Sequence, residues 1–89
     1  HPKNLDVIWK GKEEKMFFYD GFSVTKGNYD VYASYKNGES MAIIQDNIGI
    51  IGCHPEATKY WYDSYSWMKG KYVSKHNMLL EFVDEVIKC

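Results

Sequence analysis

The sequence predicts an α/β domain in which antiparallel hairpins and a β-meander are followed by one C-terminal amphipathic helix. Tyr29 to Tyr35 alternates Val31, Ala33 and Tyr35 against Tyr32 and Ser34, the period of two of a half-buried strand. Asn37-Gly38 is the strongest short hairpin signal, because both residues tolerate the positive φ of a type I′ turn. Leu79, Phe82, Val83 and Val86 recur at i, i+3, i+4 and i+7, with Glu81, Asp84, Glu85 and Lys88 on the other side. At 89 residues the chain is one domain at most, residues 1–89, with a core so small that folding alone is marginal.

In chain order, Leu5-Asp6-Val7-Ile8-Trp9 is a short strand and Met16-Phe17-Phe18-Tyr19 the next. The charged stretch Lys10 to Lys15 joins them as a loop longer than the tightest turns. Asp20-Gly21 turns the chain away, and the Ser, Thr, Lys and Gly content between Phe22 and Asn28 marks a loop. The strand 29–35 turns at Lys36 to Glu39 into Met41-Ala42-Ile43-Ile44-Gln45. Asp46-Asn47 then makes a second tight turn into Ile48 to Cys53, so three strands form a meander. Gly70 breaks the following segment, and Ser74 is the expected N-cap of the helix.

Composition narrows the function classes. All eleven basic residues are lysines and the net charge is −1. Without arginine the chain lacks the planar fork that reads phosphates and guanines bidentately, and no basic footprint is present, so no nucleic-acid partner is expected. No run approaches the ~18 apolar residues of a membrane span, and no signal-peptide pattern opens the chain, so no membrane partner is expected. Cys53 and Cys89 are too few for a disulfide framework and lack metal-ligand spacing, which makes a reduced, cytoplasmic compartment the default and leaves no metal or cofactor implied. Cys89, as the last residue, is expected to fray. The first residue is His1, from which the chain is expected to start after a cut and to be part of a larger domain.

The apolar run Ile48-Gly49-Ile50-Ile51-Gly52-Cys53 ends in His54-Pro55-Glu56. Side chains alternate on an extended strand, so His54 and Glu56 share a face, and Pro55 ends the ladder for want of an N–H. A carboxylate beside an imidazole fixes its tautomer and stabilises the imidazolium, which makes the pair a base and its orienter. The same three residues also read as a surface pair at a strand end. Cys53 adjoins His54 but points to the opposite face, which suits a small buried hydrophobe better than a nucleophile. Neither Gly21-Phe22-Ser23 nor Gly38-Glu39-Ser40 has the second glycine of a nucleophile elbow. His76 reads as a solvated residue of the first helical turn.

The Ile- and Gly-rich strand with its His54-Pro55-Glu56 end resembles the end of the class I glutamine amidotransferase fold. The closer likeness is to the amidotransferase-like domain at the N-terminus of eukaryotic biotin-protein ligases. Phe18-Tyr19-Asp20-Gly21-Phe22 resembles that family's aromatic-Tyr-x-Gly segment and Asp30-Val31-Tyr32-Ala33-Ser34-Tyr35 its "x-V-x-A-x-Y" strand. Ser40-Met41-Ala42-Ile43-Ile44 through Glu56 resembles its next hairpin. The resemblance implies the C-terminal portion of a flavodoxin-like fold, with a largely parallel central sheet covered by helices on both faces. It also implies that His54 and Glu56 are the catalytic remnant of a Cys-His-Glu triad whose nucleophile lies outside this chain.

Tyr60, Trp61, Tyr62, Tyr65 and Trp67 fall within eight residues. Flat rings with polar tips serve ligand or partner contact, and equally serve to close a small core. Two functions are therefore open: part of an amidotransferase or hydrolase that is inactive as this chain alone, or a non-catalytic regulatory or binding domain. One helix covers one face of a sheet. The expected partners are accordingly the missing N-terminal half, a second copy, or another chain.

Overall fold

The computed structural model describes residues 1–88; Cys89, with its expected fraying, lies outside the described residues. Five strands form one sheet in the order β2-β1-β3-β4-β5: β1 (Lys3–Trp9), β2 (Lys12–Phe18), β3 (Asp30–Tyr35), β4 (Ser40–Gln45) and β5 (Ile48–Ile51). Two helices follow, α1 (Lys59–Asp63) and α2 (His76–Lys88). Every strand pair is antiparallel. The meander is as expected, with Val31 opposite Ile43 and Ile43 opposite Ile50.

The expected α/β, flavodoxin-like architecture is corrected. The domain is mainly β, and among the described residues there is no parallel pair and only one helix longer than five residues. The cause lies in the connections. A parallel crossover needs about a dozen residues or more, usually helical, whereas connections of two or four residues join three of the four successive strand pairs here. The long connection, between β2 and β3, contains no helix, and β3 pairs antiparallel with β1.

Two turns also differ from expectation. Trp9 pairs with Lys12, so the first hairpin closes over Lys10-Gly11 alone, both at positive φ (49° and 81°) as a type I′ turn requires. Charged residues 12–15 belong to the strand, where Lys15 reaches Asp6 (2.6 Å) on β1. Asn37-Gly38, in contrast, sits in a three-residue loop. Gly38 N donates to Tyr35 O (3.0 Å), Tyr35 N to Glu39 O (2.8 Å), and Gly38 alone takes positive φ, the pattern of a type I turn with a glycine bulge. Asn37 uses its Oδ1 instead to accept from Glu39 N at 2.9 Å.

The sheet is strongly coiled, so that the chain beyond β5 returns to the far edge. Phe22 N donates to Gly52 O (3.3 Å) and His54 N to Phe17 O (2.9 Å). A Cβ on Gly52 would run into Phe22 O, which is why glycine stands there. Helix α2 crosses the inner face. Phe82 packs on Trp9 and Tyr32, with ring centroids 6.3 and 5.0 Å away, and meets a core that includes Val7, Met16, Ala33, Met41, Ala42, Ile44 and Cys53. Ser74 Oγ accepts from His76 N (3.5 Å) at the helix start. A second, smaller cluster of Phe17, Ala57, Tyr62 and Met68 lies beneath the aromatic segment. Among the described residues no helix is long and apolar enough to cross a membrane.

Phe82→Ala should lower the unfolding free energy by about 3–5 kcal/mol, measured by chemical denaturation, because it empties the centre of the α2 contact. Gly52→Ala should cost more than Gly49→Ala. At Gly49 the new methyl meets the side chains of Val86 (2.5 Å) and Phe82 (2.9 Å), which can move, whereas at Gly52 it meets backbone.

Candidate functional site

His54 and Glu56 do come together, but through a turn and not through strand alternation: β5 ends at Ile51, short of the expected Cys53, and Ala57 N donates to His54 O (3.2 Å) across Pro55-Glu56. His54 Nδ1 lies 2.9 Å from Glu56 Oε2, and Nε2 lies 2.9 Å from Tyr19 O. Both neighbours accept hydrogen bonds, so each ring nitrogen is directed at an acceptor, and Nε2 faces the Tyr19 carbonyl at the end of β2. His54 N holds Phe17 O as well. With three contacts to two segments, the residue clasps the exit of β5 to the end of β2. His76 has a comparable task, its Nε2 lying 3.1 Å from Glu56 O.

Cys53 points into the core, away from His54, with Sγ 3.7 Å from Tyr35 Oη. Burial pushes its thiol up to about 11, only partly offset by the Tyr35 contact. A thiol held protonated and enclosed is a poor nucleophile. Tyr35 Oη in turn donates to Phe22 O (2.6 Å), and burial followed by the adjacent Cys53 raises its own pKa. Among the described residues no three His, Cys, Asp or Glu side chains converge to hold a metal ion.

The aromatic segment divides into two sets. Tyr62 is buried and donates from Oη to Asn4 Oδ1 (3.1 Å), and Trp67 donates from Nε1 to Pro2 O (2.6 Å). These two fasten the segment to the start of the chain. Thr58 caps α1 by accepting from Trp61 N (3.4 Å), and Asp63 joins both ends of the segment through Lys59 and Gly70 N. The Lys59 contact and then the Gly70 N–H hold the Asp63 carboxyl below the usual range.

Tyr60, Trp61 and Tyr65 form the other set. With Phe17, Tyr19 and Ser64 they line a groove of about 330 Å³. Its walls are tilted rings: Tyr19 and Tyr65 lie 6.5 Å apart at 49°, Phe17 and Trp61 5.7 Å apart at 60°. The ridge continues from Tyr65 to Trp67 (5.4 Å) and from Trp67 to His1 (5.9 Å). No charged side chain lines the groove, and the hydroxyls of Tyr19, Tyr60 and Tyr65 have no protein partner among the described residues. Phe17 and Tyr19 were not among the expected contact residues. Their signal was the Phe17-Phe18-Tyr19 triplet at a strand end, where alternation alone puts at least one ring outside.

A wider cleft of about 530 Å³ lies over Leu5, Phe18, Phe22 and Tyr35. Its rim charges are largely engaged, Lys36 with Glu13 (2.7 Å) and Asp6 with Lys15 (2.6 Å), which leaves the aromatic groove as the site with unused chemistry.

His54→Ala should lower stability by about 1–2 kcal/mol, because Tyr19 O and Glu56 lose a partner in a half-buried setting, while exposed Glu56→Gln should cost under about 1 kcal/mol. The Cys53 thiol, raised above its ordinary 9.0, gives a pH dependence. Its contribution is complete below pH ~9 and is lost between about 9 and 11, since the unfolded chain releases that proton first. Urea titrations of wild type and Cys53→Ser across this window should converge as pH rises. No protein-family model, curated protein or solved structure matches the chain, so the likeness to amidotransferase-like domains rests on the quoted segments alone.

Proposed function

We propose that this chain is a non-catalytic binding module whose recognition surface is the aromatic groove, with the His54-Glu56 pair as the clasp beneath it. One observation carries the reading: a neutral groove lined by exposed rings, Tyr60 at 79% exposure among them, and edged by three phenol groups with no hydrogen-bond partner among the described residues. Aromatic side chains are large apolar surfaces that a fold ordinarily buries, and rings left outward in a rigid setting are typical recognition anchors.

The chemistry of the lining favours an extended, uncharged, proline-rich peptide. Such a segment adopts the polyproline II conformation, offers carbonyl acceptors with few N–H donors, and seats its rings between splayed aromatic side chains. Free phenols supply the matching donors. A flat sugar ring asks instead for parallel platforms and a dense set of polar partners, but these rings are tilted, and Ser64 Oγ is spent on Tyr60 O (2.7 Å).

A neutral proline-rich decapeptide titrated against the chain, followed by tryptophan fluorescence and by amide shifts, tests this. Shifts should cluster at Phe17, Tyr19 and residues 60–65, and Trp61→Ala or Tyr60→Ala should weaken binding about tenfold or more. Binding insensitive to both substitutions would overturn the reading, as would a preference for cellohexaose over the peptide.

A further inference from the structure

The two edges of the sheet differ in chemistry. β2 presents Lys12, Glu13, Glu14 and Lys15 along its length, the usual protection against a second strand. β5, Ile48-Gly49-Ile50-Ile51, carries no charge and no proline, pairs with β4 on one side, and has no strand on the other among the described residues. Gly49 faces α2, where Phe82 and Val86 lie against it, so Ile48 and Ile50 point to the outer face at 62% and 39% exposure. At the same end of the molecule Val86 seats the last turns of α2 on β5, and Val83 and Ile87 of those turns are exposed.

We infer that β5 is the interface of a two-fold homodimer in which two copies join edge to edge into a ten-stranded antiparallel sheet. The occupant follows from the edges. A β2 edge of another copy would set its lysines and glutamates against Ile48 and Ile50, so within this chain β5 is matched by β5 alone. An antiparallel pair of identical strands about a two-fold axis closes after two copies and leaves only charged β2 edges outside, which stops further growth.

Register follows from the faces. Opposed residues of an antiparallel pair share a face, and a two-fold axis normal to the sheet preserves it, so the axis falls on a residue. Centred on Gly49, it places Ile48 of one copy opposite Ile50 of the second. Four residues make a short ladder, and the exposed apolar residues of α2 beside the axis add the contact that the ladder lacks.

Light scattering and sedimentation of the chain over a concentration series, with amide exchange across β5, test this. The expected result is a mass about twice the 10.4 kDa of one chain, slowed exchange along β5, and reversion to a single mass in Ile50→Lys with its circular dichroism unchanged. Should Ile50→Lys fail to fold, Ile48→Thr, at the more exposed position, serves in its place. A monomer at high concentration overturns the inference, whether β5 amides exchange freely or are protected by another part of the chain. A dimer that survives both substitutions overturns it as well.

Discussion

The structure depends on the closure at Gly52 to His54. An antiparallel sheet of five short strands has two faces and two edges to protect, and among the described residues one full helix is available to cover them. Coiling resolves part of this. Once Gly52 O accepts from Phe22 N and His54 N donates to Phe17 O, the chain after the last strand is bonded to the far end of the second. One helix then suffices for the inner face, and Phe82 fills it.

The candidate site follows from the same closure. Directing the chain back to β2 carries Pro55 to Ala57 beneath the sheet and sets the aromatic segment over Phe17. From there Tyr62 and Trp67 commit their polar tips to Asn4 and Pro2, and Asp63 ties the segment to itself through Lys59 and Gly70. The rings that remain, Tyr19, Tyr60, Trp61 and Tyr65, are held in place by this scaffold, Trp61 against Phe17 and Tyr65 against the smaller core cluster. Such preorganisation is what lets exposed rings contribute to binding, since their entropy is lost on folding and not on encounter.

Much of this was legible in the sequence, and the failures have physical causes. Strand positions and the meander followed from alternation and turn residues, whereas the His54-Glu56 contact, expected from the period of two, is made by a turn beyond the end of β5. Turn types did not, because Lys10 at positive φ gives no warning in its residue type, while Asn37 found a better use for its side chain in capping Glu39 N. Architecture was misjudged for a different reason. The resemblance carried by three segments implies a parallel α/β sheet, whereas the tight connections between β1 and β2, β3 and β4, and β4 and β5 allow only antiparallel neighbours there. Nothing local announced that Nε2 of His54 meets Tyr19 O, a contact across 35 residues that ties the pair to the end of β2. The division of the aromatic segment was likewise hidden, since it depends on where Pro2 and Asn4 lie in space.

Native-state hydrogen exchange at the amides of His54 and Phe22 tests the central claim most directly. If the closure is part of the cooperative core, these two amides open only with global unfolding, at the same free energy as Val7 and Met41. Opening several kcal/mol below the core amides would show the return to β2 to be a loose contact and would contradict the account.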